Sequence, residues 1–377
     1  MKQNNSRRDF LKKGASMAAL AAVGVGTSSE ETASGSTEHP AIRSGCEPAS
    51  TARRHRDGDT EWMKLSLAYF YGGVTGRPQR VELAKQMGVL GGVGGAGRSV
   101  GETKKAYEDS GLEWTVLEGV NLTRAQLGVE GRDENIDTFI ALIRECSEAG
   151  MDVICYNWMP AVSWSRSDTA RIDRGGSLVT AFDYEHVDQS LTEFGDDFSH
   201  DRLWENMEYF LHAVVPEAER LGVKLALHPD DPPVERLRGI PRIITSVDAL
   251  KRVTEIVPSP SNGLCFCQGS IASQGEEVDI PAAIRYFGEH GNIHFVHFRD
   301  VRGTPRNFVE AWHDDGHTDM HAAMQAYFDV GFRGPIRPDH VPTITGYEEN
   351  THPGYNDLGT LFAFGYIKGL MEAVAKA

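Results

Sequence analysis

The chain has 377 residues, with 54 acidic against 38 basic side chains and a formal net charge of -16. That balance repels nucleic acid and anionic membranes and leaves small molecules as the expected partners. Five cysteines spread over such a length are not the dense, even framework of a disulfide-stapled domain.

Ser6-Arg-Arg-Asp-Phe-Leu-Lys12 precedes an apolar run from Gly14 to Val25. The pattern resembles a twin-arginine export signal, and the run is shorter than a membrane span requires. Residues 1–30 are therefore expected to direct the folded protein out of the cytoplasm, to the periplasm. Residues 31–60, rich in Ser, Thr, Glu, Gly and Arg, have the composition of a disordered linker, and Cys46 within them reads as an incidental thiol. No stable membrane span is expected beyond an uncleaved signal. Residues 61–377 show no break in composition and are expected to form one catalytic domain.

Within that domain, period and punctuation alternate between strand and helix. Strands are expected at Leu65 to Tyr71, Val89 to Val93, Trp114 to Leu117, Asp152 to Asn157, Lys224 to His228, Leu264 to Cys267, Ile293 to Arg299 and Pro335 to Asp339. Helical patterns are clearest at Ile136 to Ala149, Leu203 to Leu221, Met320 to Phe332 and Gly359 to Ala375. Eight strand–helix units are the count of an α/β fold of the (β/α)8 TIM-barrel type. A doubly wound open sheet competes, but no Gly-x-Gly-x-x-Gly turn follows the first strand. Gly91-Gly-Val-Gly-Gly95 reads as a Gly-rich turn after the second strand and is weak evidence for a phosphate site. An unphosphorylated substrate is the expectation.

Four strands in the second half end on side chains that can bind a transition metal: His228, Cys267, His297 and Asp339. They are separated by 39, 30 and 42 positions, each about one strand plus one helix of a barrel. Taken singly, each has a bland alternative: a strand histidine is usually a satisfied core residue, and a buried cysteine a small hydrophobe. Four at matching ends of successive strands point to one open metal site. Side-chain alternation places His294 on the opposite face from His297, as a structural residue, and puts Cys265 a layer deeper than Cys267. Cys146 and Cys155 read as core.

The segments Cys155-Tyr-Asn-Trp-Met-Pro160, Trp164-Ser-Arg-Ser-Asp168, His228-Pro-Asp-Asp-Pro-Pro233, Cys267-Gln-Gly-Ser270 and His297-Phe-Arg299, with Phe308 to Met320, Arg337-Pro-Asp-His340 and Pro353-Gly-Tyr355, resemble the mannonate dehydratase family. The resemblance runs in order over most of Leu112 to Leu370. It implies a single TIM barrel, a divalent metal (Mn2+ or Fe2+), and loss of water from D-mannonate to give 2-dehydro-3-deoxy-D-gluconate. It also implies that His228, Cys267, His297 and Asp339 are the ligands, that His340 and Tyr355 are the acid and base in an order left open, and that Asn157 meets the substrate. Arg166 and Arg299 are candidates to hold the substrate carboxylate bidentately, with an ion pair to Asp168 as the alternative for Arg166. Such chemistry needs a Lewis acid for the charge that develops when a proton leaves beside a carboxylate, and a placed acid for the departing hydroxyl.

Two stretches depart from the family pattern. Arg171 to Ser199 is shorter than the family's helical excursion, which suggests a missing lid, and Gly91 to Gly95 replaces a polar, histidine-bearing turn. Reaction type is thus better specified than substrate. An isomerase or epimerase of xylose-isomerase type, on the same barrel and metal, remains open, as does an exported sugar-binding protein without catalysis. An amidohydrolase would want a His-x-His pair closing the first strand, which Leu65 to Tyr71 lacks. Ligand type does not select the metal, since zinc or copper would generally bind more tightly than manganese, and the sequence is compatible with a homo-oligomer.

Overall fold

A computed structural model describes residues 62–348 and 352–377; the expected export signal, the linker and Cys46 lie outside the described residues. Eight strands close into a parallel barrel: β1 (Lys64–Ala68), β2 (Gly91–Gly94), β3 (Glu113–Glu118), β4 (Val153–Asn157), then β7 (Lys224–His228), β10 (Asn262–Cys267), β11 (Ile293–Phe298) and β14 (Pro335–Pro338). The numbers between belong to strands outside the barrel: β5 (Asp168–Ile172), β6 (Leu178–Asp183), β8 (Arg236–Leu237), β9 (Ile240–Pro241), β12 (Val301–Thr304) and β13 (Asn307–Glu310). The protein is a (β/α)8 TIM barrel.

The barrel strands are almost wholly buried because both faces are covered, so they read as continuous apolar runs rather than alternating ones. Val93, Val116, Val153, Cys155, Ala226, Cys265 and Phe295 fill the lumen. The opposite parity packs outward against the helices, where Phe266 meets Phe287 and Tyr327. Helix starts are set by short polar caps: Ser99, Ser199, Ser246, Asp279, Asp319 and Asn356 each accept a first-turn N–H, which supplies one of the donors a helix start leaves unpaired. The last helix, Asp357–Lys376, is long and apolar enough to cross a membrane by length and composition. In this fold it buries Ala363, Phe364, Ile367, Met371 and Val374.

Two expectations change. The glycines Gly91–Gly94 are the second strand itself and not a turn after it. A Cβ on Gly92 would stand 2.2 Å from the Tyr107 ring and one on Gly91 would meet Ser66 Oγ at 2.4 Å, so close packing requires the bare backbone. The stretch after β4, read as shorter than the family's helical excursion and as missing a lid, carries two strands, β5 and β6. These join β13 and β12 in an antiparallel sheet of order β12-β13-β6-β5. Because β5–β6 follows β4 and β12–β13 follows β11, this sheet rises from two loops on the C-terminal face of the barrel.

Candidate metal centre and active site

Strand register brings the ends of the barrel strands to one level. Asn157 pairs with His228 across β4 and β7, Cys267 with His297 across β10 and β11, and His297 with Arg337 across β11 and β14. Asp339 is the first residue past β14. His228, Cys267 and His297 each offer a donor atom within 4.8 Å of the other two, and Asp339 Oδ2 lies 3.7 Å from His297 Nδ1 and 3.9 Å from Cys267 Sγ. Ligand atoms about 2.0–2.3 Å from a shared ion stand about 3–4 Å apart; His228, Cys267 and His297 form one cluster of donors, and Asp339 adjoins it at His297 and Cys267.

Three of the four donors, His228, Cys267 and Asp339, are oriented by a neighbour. His228 Nδ1 sits 2.6 Å from the Pro229 carbonyl, an acceptor, so that nitrogen carries the proton and Nε2 keeps its lone pair. Ser270 Oγ donates to Cys267 Sγ at 3.1 Å, and Arg299 Nη1 approaches the sulfur to 3.6 Å. Asp339 Oδ1 accepts from Arg337 Nη1 at 2.6 Å and from the Tyr355 hydroxyl at 3.2 Å, leaving Oδ2 turned toward His297 and Cys267. Burial opposes ionisation of Asp339, but His340, Arg337, His297 and Arg299 around it hold the carboxyl well below its usual range. His297 Nε2 is buried without a hydrogen-bond partner among the described residues. Two imidazoles, a thiol and a carboxylate of this geometry fit a divalent transition metal.

A second trio, Cys155, Cys265 and His297, lies in the lumen. Burial pushes both of these thiols up, Cys265 well above its usual value, as expected for cysteines acting as small core hydrophobes. His294 points outward, its Nδ1 2.9 Å from the Leu225 carbonyl.

His340 and Tyr355 flank Asp339. His340 has a φ of 48°, its ring stacks on Trp164 at 5.3 Å and 8°, and its Nε2 is 3.6 Å from Asp339 Oδ2. Gly354 (φ 84°) leaves it room, since a Cβ there would stand 2.8 Å from His340 Nδ1. Burial lowers the His340 pKa to about 4, against the pull of Asp339, and burial keeps the Tyr355 phenol well above its usual value. The pair therefore stands as a neutral imidazole and a protonated phenol at neutral pH.

The expected substrate residues sit differently. Asn157 ends β4, where its Oδ1 accepts from the Met159 N–H at 3.0 Å. The side chains of Arg166 and Arg299 are buried, and their guanidiniums face carboxylates of the chain itself. Arg166 reaches Asp231 (2.7 and 3.0 Å) and Glu310 (2.6 Å), and not Asp168. Arg299 reaches Glu310 (2.6 and 2.7 Å) and Asp231 (2.8 Å). Two arginines and two carboxylates thus close a charge-balanced ring behind Cys267. Asp231 titrates far below the usual carboxylate range because these two guanidiniums outweigh its burial.

Sequence reasoning missed Glu118, the last residue of β3. Its Oε1 accepts from Arg337 Nη2 at 3.2 Å and lies 3.4 Å from His297 Nε2. Burial would raise its pKa, but Arg337 and His297 bring it down to about 2. The signal was available, since Glu118 is a polar residue closing an apolar strand, as His228 and Cys267 are.

The sequence profile described as D-mannonate dehydratase (UxuA) matches residues 91–194 and 189–377. Mannonate dehydratase of Thermotoga maritima is 35% identical over 308 residues, covering 72% of this chain and 84% of that protein. Mannonate dehydratase 2 of Halalkalibacterium halodurans is 35% identical over 300 residues, covering 72% and 86%. The crystal structure of mannonate dehydratase from Streptococcus suis serotype 2 superposes with a TM-score of 0.77 at 33% identity, over 83% of this chain and 95% of that one. A 3-keto-D-glucoside 4-epimerase from E. coli, at TM-score 0.52 and 15% identity over 84% of this chain and 100% of that one, shares the fold.

Proposed function

Because the chain belongs to the D-mannonate dehydratase (UxuA) family, and is with it a hydro-lyase acting on sugar acids, we propose that it converts D-mannonate to 2-dehydro-3-deoxy-D-gluconate and water. The observation that carries this reading is the meeting of His228, Cys267, His297 and Asp339 at one barrel mouth, with His340 and Tyr355 both against Asp339.

These four residues would hold Mn2+ or Fe2+. Such an ion, when bound, supplies Lewis-acid stabilisation for the negative charge that accumulates beside the substrate carboxylate. In the reaction the C2–H bond breaks, a C2=C3 double bond forms and the C3–O bond breaks. The resulting enol takes a proton at C3 to become the 2-keto-3-deoxy acid. His340 and Tyr355 handle the two protons, one taking the C2 proton and the other giving a proton to the departing hydroxyl. Asp339 places both, through its contact with His340 Nε2 and the hydrogen bond it accepts from Tyr355. The ring of Arg166, Asp231, Arg299 and Glu310 holds Arg299 Nη1 at 3.6 Å from the Cys267 sulfur.

Incubation of the purified chain with D-mannonate and Mn2+ in D2O is expected to yield a 2-keto-3-deoxy acid with one deuterium at C3. Interconverted sugars without any keto-deoxy acid would overturn the dehydratase reading in favour of isomerisation. We further infer that residues 1–30 export the folded protein by the twin-arginine route. Fractionation of cells expressing the full chain should find it outside the cytoplasm, and Arg7→Lys with Arg8→Lys should retain it inside.

A further inference from the structure

We propose that Glu118 is a positioning residue of the metal centre: its carboxylate takes the Nε2–H of His297 and so fixes the imidazole with its Nδ1 lone pair toward Asp339. The proposal rests on the metal-binding reading of the four-residue cluster and assigns a fifth residue, on a different strand, to its support.

Two contacts on opposite edges of the His297 ring agree. On one edge, Nδ1 lies 3.5 Å from Arg337 Nη2 and 3.7 Å from Asp339 Oδ2. An arginine can only donate, so Nδ1 is the nitrogen left unprotonated. On the other edge, Nε2 lies 3.4 Å from Glu118 Oε1 and has no other partner among the described residues. A side-chain shift of about half an ångström would close that gap to a hydrogen bond. Glu118 is itself held, because Arg337 bridges it to Asp339 through Nη2 at 3.2 Å and Nη1 at 2.6 Å. Glu118 Oε2 is buried without a partner among the described residues, so the carboxylate has acceptor capacity to spare. A metal-binding histidine usually gives its second N–H to a carboxylate or carbonyl, which sets the tautomer and strengthens the ligand. His228 does this through the Pro229 carbonyl, and Glu118 would do it for His297.

Glu118→Gln keeps the shape and removes the charge. In the full-length protein it is expected to weaken Mn2+ or Co2+ binding about 10–100-fold by competition with a chelator, with Glu118→Asp recovering part of the loss. Thermal melts of the metal-free variants check that the barrel is intact. In metal-free wild type, long-range 1H–15N spectra, with His297 assigned from its absence in His297→Gln, should show the Nε2–H tautomer. In Glu118→Gln the Nδ1–H form should appear beside it. An affinity within twofold of wild type in Glu118→Gln overturns the proposal, and so does an Nδ1–H tautomer in wild type. A raised KM with unchanged metal affinity also overturns it, because Glu118 would then serve the substrate. If wild type takes up no divalent ion, the metal reading itself fails, while the tautomer measured without metal still decides the role of Glu118.

Discussion

Replacing Arg166 by methionine separates support of the fold from contact with substrate. The side chain is fully buried and gives its guanidinium to Asp231 at 2.7 and 3.0 Å and to Glu310 at 2.6 Å. Its loss leaves two buried carboxylates sharing Arg299 alone, so the ring passes from neutral to one net negative charge. Removing one partner of a buried ion pair costs about 3–5 kcal/mol. With an unfolding entropy of about 2.1 cal/mol/K per residue over a barrel of about 315 residues, that corresponds to a fall in Tm of about 5–8 °C. Calorimetry in metal-free buffer, where no bound ion adds to the apparent stability, measures the fall. Kinetics with the sugar acid at 25 °C measure KM on the same protein. Adding Asp231→Asn should return part of the loss, because the pair acts as a unit. A stability change below about 1 kcal/mol together with a KM raised tenfold or more would refute this reasoning and return Arg166 to the substrate.

Dialysis against a chelator should abolish turnover and added Mn2+ should restore it. Cys267→Ser, which exchanges a soft thiolate for a poor ligand, should weaken Mn2+ binding at least tenfold by titration calorimetry. His340→Asn and Tyr355→Phe should each lower kcat by about 10²–10⁴ while the far-UV circular dichroism spectrum and Mn2+ affinity hold, and near-wild-type kcat in either would remove that residue from the proton-transfer pair. His294 predicts a pH dependence of stability. Burial lowers its pKa to about 4, against about 6.5 in the unfolded chain. Between those values the unfolded state binds a proton that the native state refuses, so stability is full above about pH 6.5 and declines as pH falls toward 4, by the order of 3 kcal/mol. Urea midpoints across that window should fall in wild type and fall less in His294→Phe; equal slopes would contradict the assignment.

The barrel was legible because its strands are buried on both faces and stop on polar residues. A run such as Leu225-Ala-Leu-His228 leaves little choice of structure, and its final residue advertises the site. The sheet above the mouth was not legible. All five residues of β5 are exposed, so no alternation marks it as a strand, and its place depends on β6 pairing with β13, more than a hundred positions away. The Arg–carboxylate ring was hidden for the same reason, since Arg166 meets partners 65 and 144 positions along the chain. Gly91–Gly94 misled because glycine clusters usually mark turns, whereas here the Tyr107 ring leaves no space for a side chain. Glu118 could have been found by asking of β3 what was asked of the last four strands.

Glu310 closes β13 and grips Arg166 and Arg299, while the exposed far turn, Arg174–Gly176, is tied down by Arg174 to Asp314 and by the Thr345 hydroxyl to the Gly176 carbonyl. Residues inserted at that turn lengthen the β5–β6 hairpin at the expense of those two ties, while the β6–β13 pairing stays in place. One residue inserted within β6 or β13 exchanges the two faces of the sheet beyond it. Changes at the hairpin tip can therefore leave His228, Cys267, His297 and Asp339 at the barrel mouth untouched.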